Sequence, residues 1–142
     1  MSHPLTVRPD PSEYAPYAAE YVSRVTEGNV LDMLESQIEE TAALVRGLAP
    51  GMAAKRYAPG KWSIGEIIGH LGDAERVFSY RALRFSRGDA TPLAGFDEND
   101  YVRAAPFSEV AIGNLMSELE HLRRATVHLY RNLEVLRTRY LS

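Results

Sequence analysis

The sequence predicts an all-α protein, a bundle of amphipathic helices forming one domain over residues 1–142. Three stretches carry that prediction. Leu31, Leu34, Ile38, Val45 and Leu48 recur on one helical face. Ser63 to Arg87 opens on a capping box and continues as an apolar stripe. The residues after Ser108 repeat apolar positions at alternating steps of three and four.

Taken in order, residues 1 to 28 form an N-terminal arm. His3, Pro4, Pro9 and Pro11 predict an irregular start. From Ser12, the row Tyr14, Tyr17, Tyr21 and Val25 predicts a short helix, with Pro16 tolerated in its first turn and the aromatic face laid on the bundle. Glu27-Gly28-Asn29 interrupts it, and Asn29 is the expected N-cap of a helix over 29–48. There Asp32, Glu35, Glu39 and Glu40 stay wet, and Ala49-Pro50-Gly51 ends the element. Pro59-Gly60 turns the chain and places Trp62 just before the Ser63 cap, as a hydrophobic staple.

Ser63 and Glu66 are spaced to satisfy each other's orphan backbone donors, so a helix begins here and runs over 63–87. Its stripe reads Ile64, Ile67, Ile68, Leu71, Phe78, Ala82 and Phe85. Gly65, Gly69 and Gly72 share one side, and each costs a helix interior roughly 1 kcal/mol relative to alanine, so another backbone is expected to approach there. Gly88 to Gly95 is a loop, continued by an acidic turn through Phe96 and Tyr101 that lacks the glycine and final glutamate of a calcium loop. Ser108 is the expected cap of a last helix over 108–140. Its seam is Ile112, Leu115, Leu119, Leu122, Thr126, Leu129, Leu133, Leu136 and Tyr140. Such a helix spans roughly 50 Å at 1.5 Å per residue, more than the other helices cover, and a second copy of the chain is the expected partner of the overhang.

The composition narrows the function classes. A formal net charge of −3 and only two lysines, Lys55 and Lys61, argue against nucleic-acid binding, which needs clustered cations. The absence of cysteine excludes disulfides, thiolate metal sites and a cysteine nucleophile. No apolar run suits a membrane span or a secretory leader, so a cytoplasmic location is expected. There is no nucleophile elbow, phosphate loop or dinucleotide fingerprint.

Two polar residues disturb the stripe of the helix over 63–87. His70 stands on its border beside Asp73, where it is either a lone border histidine or a metal ligand oriented by Asp73. Glu75 stands near its middle, either a buried general base or half of a structural ion pair with Arg123 of the last helix; Arg76, Arg81 and Arg124 are further donors within reach. His121 and His128, seven residues apart, occupy an outward position on the last helix.

Several segments carry a family resemblance: Tyr57-Ala58-Pro59-Gly60-Lys61-Trp62-Ser63, Gly69-His70-Leu71-Gly72-Asp73-Ala74-Glu75-Arg76, Tyr80-Arg81-Ala82-Leu83-Arg84-Phe85, and Gly95-Phe96-Asp97 with Tyr101. With the tyrosine-rich arm and the closing Arg139-Tyr140-Leu141, the chain resembles the DinB-like (DinB/YfiT-like) superfamily, most closely its second sequence family. The resemblance implies an up-down four-helix bundle, frequently dimeric, with a divalent ion such as zinc or nickel on three histidines. It also implies a metal-dependent hydrolase or thiol-dependent transferase acting on a small molecule. It assigns the first metal ligand to His70 and carries the family's following acidic residues onto Asp73 and Glu75.

The sequence departs from the family at its end. The other two family ligands are histidines one turn apart on a further helix introduced by Gly-His, and no such motif follows Gly113. Segments resembling Arg123 to Leu133 and Val135 to Leu141, separated in the family by a loop and a helix, join directly at Asn132 to Glu134, and the unbroken heptad there favours one continuous helix. The alternative expectation is a non-catalytic dimerisation or small-ligand-binding protein that has lost the three-histidine site.

Overall fold

A computed structural model describes the backbone of residues 7–140 and the side chains of residues 7–133. Among the described residues there are five α-helices: α1 (Ala19–Arg24), α2 (Val30–Arg46), α3 (Ile64–Ser86), α4 (Glu98–Ala104) and α5 (Ile112–Tyr140). Three of them are long. α2 starts where Asn29 caps the backbone N–H groups of Leu31 and Asp32, and α3 starts at the Ser63–Glu66 capping box. Both caps occupy their expected positions because each places a side-chain acceptor over donors the helix leaves unpaired.

α5 lies between the other two. Ion pairs of Arg46 with Glu120 and of Arg131 with Glu35 set α2 antiparallel to it. Gly72 faces Leu122, and further along Phe85 shares a pocket with Tyr130, so α3 runs parallel to α5. A parallel neighbour requires the chain to travel back, and residues 87–111, including α4, make that return. The core is Ile38, Ala42 and Val45 of α2, Ile68 of α3, and Leu115, Met116 and Leu119 of α5, with Phe107 and Ile112 packed against it. At roughly 1.5–3 kcal/mol for each fully buried large aliphatic side chain, this cluster is the main source of the fold's stability.

Several expectations need correction. The tyrosine row does not lie on the bundle: Tyr17 and Tyr21 are exposed, and the segment is two 3-10 turns followed by the six residues of α1. Pro11 and Pro16 each open a 3-10 turn, so the arm never builds the continuous helix a buried row needs. Residues 98 to 104 are helical, because Asp97 accepts from the backbone N–H groups of Asn99 and Asp100 and so acts as a cap. The last helix starts at Ile112; Ser108 sits inside a 3-10 turn, Phe107–Glu109, which delivers the Phe107 ring to α3. The seam of α5 is wider than one heptad line, with Met116 and Val127 fully buried, because a helix flanked on two sides buries two stripes. The side chains of Leu136 and Tyr140 of that seam, and the whole of the closing Leu141 and of His3 and Pro4 of the arm, lie outside the described residues.

The glycine side of α3 is approached mainly by side chains. A Cβ on Gly69 would lie 2.5 Å from the Phe107 ring, and one on Gly72 would lie 3.8 Å from Leu122, whereas Gly65 alone faces backbone, the carbonyl of Ala53. α3 turns this side, with Ile68, toward the core. Much of its apolar stripe, from Ile67 to Phe85, is left at the surface.

Candidate functional site

The site residues are set by the start of α3. Ser63 Oγ accepts from the Glu66 N–H at 3.2 Å, and Glu66 Oε2 accepts from the Ser63 N–H at 2.7 Å. Arg56, brought back by an isolated antiparallel bridge to Ser63, donates to both Glu66 oxygens and, with the Ser63 N–H, holds that carboxyl below the usual carboxylate range. With the first turn pinned, His70 falls two turns into the helix. Trp62 packs on it, ring centroids 4.8 Å apart and tilted by 47°. This lies about one turn beyond the position a staple would reach, so Trp62 anchors the imidazole rather than Ile67.

His70 Nδ1 is buried and has no hydrogen-bond partner among the described residues. Asp73, one turn on, makes no hydrogen bond to it. Burial pushes the Asp73 carboxyl above its ordinary value, and the nearby Arg76 and His70 only partly offset this, while Glu118 adds to it. Arg76 is occupied elsewhere, donating to Glu118 at 2.6 Å.

Glu75 and Arg123 meet across the bundle. Arg123 Nε donates to Oε1 at 2.9 Å and Nη2 to Oε2 at 3.2 Å, with only 13 % and 12 % of the two side chains exposed. Arg123 Nη1 also reaches α2, donating at 3.0 Å to the Leu34 carbonyl and to Gln37 Oε1. One guanidinium therefore ties all three long helices, and both Glu75 oxygens are engaged in holding it. That geometry is a strut, with each Glu75 oxygen held by one guanidinium N–H. Gln37 and the Leu34 carbonyl escaped the sequence reading, since a polar residue on a wet-looking helix face and a main-chain oxygen give no pattern.

The pair floors an open groove of about 220 Å³ lined by Leu34, Leu71, Ala74, Phe78, Thr126 and Tyr130. A second hollow of about 550 Å³ adjoins it past Phe78 and Tyr130, walled by Phe85, Leu93 and Gly95. Burial, with a smaller contribution from Glu75, pushes the Tyr130 hydroxyl up, so it is neutral at physiological pH. The remaining α5 histidines stand apart as single groups. His121 is exposed with Nδ1 2.6 Å from the Ser117 carbonyl, to which it donates, and His128 borders the α2–α5 groove with Glu35, Glu39 and Arg124.

A family model, described as the DinB superfamily, matches residues 33–140. The chain belongs to the DinB superfamily. Comparison with curated proteins and with solved structures returned no match. Within this DinB-superfamily chain the match covers α2 from Met33 onward and all of α3, α4 and α5, so the groove and every candidate site residue fall inside it. The fit of a metal ion is partial. The orphaned, buried His70 Nδ1 suits a ligand position, but among the described residues no group of three His, Cys, Asp or Glu side chains is placed to hold an ion. No helix among the described residues is long and apolar enough to cross a membrane.

Proposed function

We propose that this DinB-superfamily protein descends from the metal-dependent hydrolases and thiol-dependent transferases of its family, with its working surface on the edge of α3 that carries His70. The observation that supports this reading is the buried His70 Nδ1, an imidazole nitrogen without a protein partner beside a carboxylate whose basicity burial has raised. A divalent ion such as zinc or nickel, when bound, supplies Lewis acidity toward a small molecule or low-molecular-weight thiol. The described residues offer it one ligand, His70. The chain's own contributions are positional. Trp62 fixes the imidazole plane, Asp73 supplies negative charge one turn away, and the Glu75–Arg123 strut holds the groove floor on which Leu71, Phe78 and Tyr130 exclude water from one side of a bound substrate.

Trp62 is the only tryptophan in the chain and touches His70, which makes it a built-in reporter. Titration with nickel(II) is expected to quench Trp62 fluorescence saturably, and His70→Ala is expected to abolish that quenching while far-UV circular dichroism stays unchanged. Linear, non-saturable quenching that is identical in both proteins would sink the metal reading and favour a non-catalytic binding domain.

A further inference from the structure

The segment that follows α3 folds back along it and is tied down by two arginines about one turn apart. Arg84 pairs with Asp89 and donates to the Thr91 carbonyl at 2.7 Å, and Arg81 donates to the Ala94 carbonyl at 3.2 Å. These bonds fix Leu93 and Ala94 as one wall of the hollow of about 550 Å³ at the end of α3. Phe78 and Phe85 of α3 and the neutral phenol of Tyr130 from α5 supply much of the remaining lining. The volume lies in the range of small-molecule sites, roughly 300–1,000 Å³.

Arg81 carries the only charge on that lining. Its guanidinium lies 5.7 Å from the centroid of the Phe78 ring and makes one hydrogen bond, to Ala94, and no ion pair among the described residues. Glu75, in the adjoining groove, has both oxygens on Arg123. A guanidinium has five N–H donors in a planar fork, so Arg81 keeps donors for a ligand while the ring and the carbonyl hold it in place. This charge pattern discriminates among ligands. A cation is repelled. A neutral apolar molecule covers the guanidinium without pairing it, which costs desolvation. A phosphate dianion calls for more than one cation, whereas a single planar carboxylate matches a single fork.

We propose that this hollow binds a small carboxylate with an apolar, ring-sized body, the carboxylate paired with Arg81 and the body laid against Phe78, Phe85 and Leu93. The site is distinct from that of His70. Eleven residues along a helix advance roughly 16 Å and return to within about 20° of the same bearing, so Arg81 and His70 share a side of α3 but lie too far apart for one such molecule to touch both. The proposal therefore does not rest on an ion at His70.

Calorimetric titration of the full-length, metal-free chain with 2-naphthoate, in the presence of a chelator, tests it. Saturable one-to-one binding is expected, weakened about tenfold or more by Arg81→Gln and by Phe85→Ala at unchanged circular dichroism. The wild-type protein supplies a reading that needs no variant: 2-naphthamide, with the same body and no charge, is expected to bind about tenfold more weakly or worse, and equally to wild type and Arg81→Gln. Absence of saturation, equal affinity for the acid and the amide, or wild-type affinity in Arg81→Gln overturns the proposal. So does naphthoate binding that is lost in His70→Ala, which places the carboxylate at the other site. Naphthoate binding that survives His70→Ala, in a protein whose Trp62 fluorescence nickel does not quench, upholds this site and removes the metal reading alone.

Discussion

Arg123 shows how one side chain determines whether helices stay together. It makes four hydrogen bonds, two to Glu75 and one each to Gln37 and the Leu34 carbonyl, and removing it leaves a nearly buried carboxylate without a partner. Arg123→Met is expected to cost about 3 kcal/mol in urea unfolding, and adding Glu75→Leu should recover much of that loss, since the stranded charge disappears with it. Asp73 behaves oppositely. Its folded-state pKa is raised, so its contribution to stability is fully present below the unfolded value of 3.8 and is lost as the pH rises through the elevated folded value. Asp73→Asn is therefore expected to raise the melting temperature at neutral pH and to leave it unchanged in acid. Both residues were legible in the sequence because a charge inside or beside an apolar stripe demands an explanation. The partner of Glu75 was legible too, since Arg123 flanks the facing seam; of the further donors, the interhelical geometry sends Arg76 to Glu118 and Arg81 to the Ala94 carbonyl.

Helices and loops are fixed by local chemistry that substitution can isolate. Ser63→Ala removes the acceptor over the Glu66 N–H and is expected to cost about 1 kcal/mol, read as a lower urea midpoint at unchanged slope. Gly69→Ala puts a methyl 2.5 Å from the Phe107 ring, a contact that forces the Phe107–Glu109 turn outward; roughly 1–3 kcal/mol is expected, and Phe107→Leu should relieve part of it. The loop after α3 is held by Asp89, whose carboxyl is lowered to about 2 chiefly by the Thr91 backbone N–H, with the Thr91 side chain and Arg84 adding to it. A lowered folded value gives stability that is present above 3.8 and lost as the pH falls through about 2. The stability gap between wild type and Asp89→Asn should accordingly narrow over that acid range. The caps at Asn29 and Ser63 could be read from sequence, since capping is a contact within three residues. The Gly69–Phe107 contact could not, since it joins segments 38 positions apart.

At the scale of the whole molecule, the described residues form three long helices with an apolar row of α3 at the surface. The heptad of α5 first suggested a partner through its overhang. The observation with side chains in view is the exposed seam of α3, whose apolar residues the sequence alone assigned to the core.

By itself the sequence determined the class of fold, the three long helices, the caps of the first two of them at Asn29 and Ser63, and the charged residues that needed partners. These follow from periodicity and from short-range hydrogen bonding, both of which are properties of neighbours along the chain. Only the tertiary structure decided which stripe of each helix is buried. α3 turns its glycines inward because the Phe107 ring and Leu122 fill the space they leave. That rotation sets Ile67, Leu71, Phe78 and Phe85 toward the surface and brings His70 against Trp62. A helix with two usable faces cannot choose between them alone; the choice belongs to the elements that pack on it.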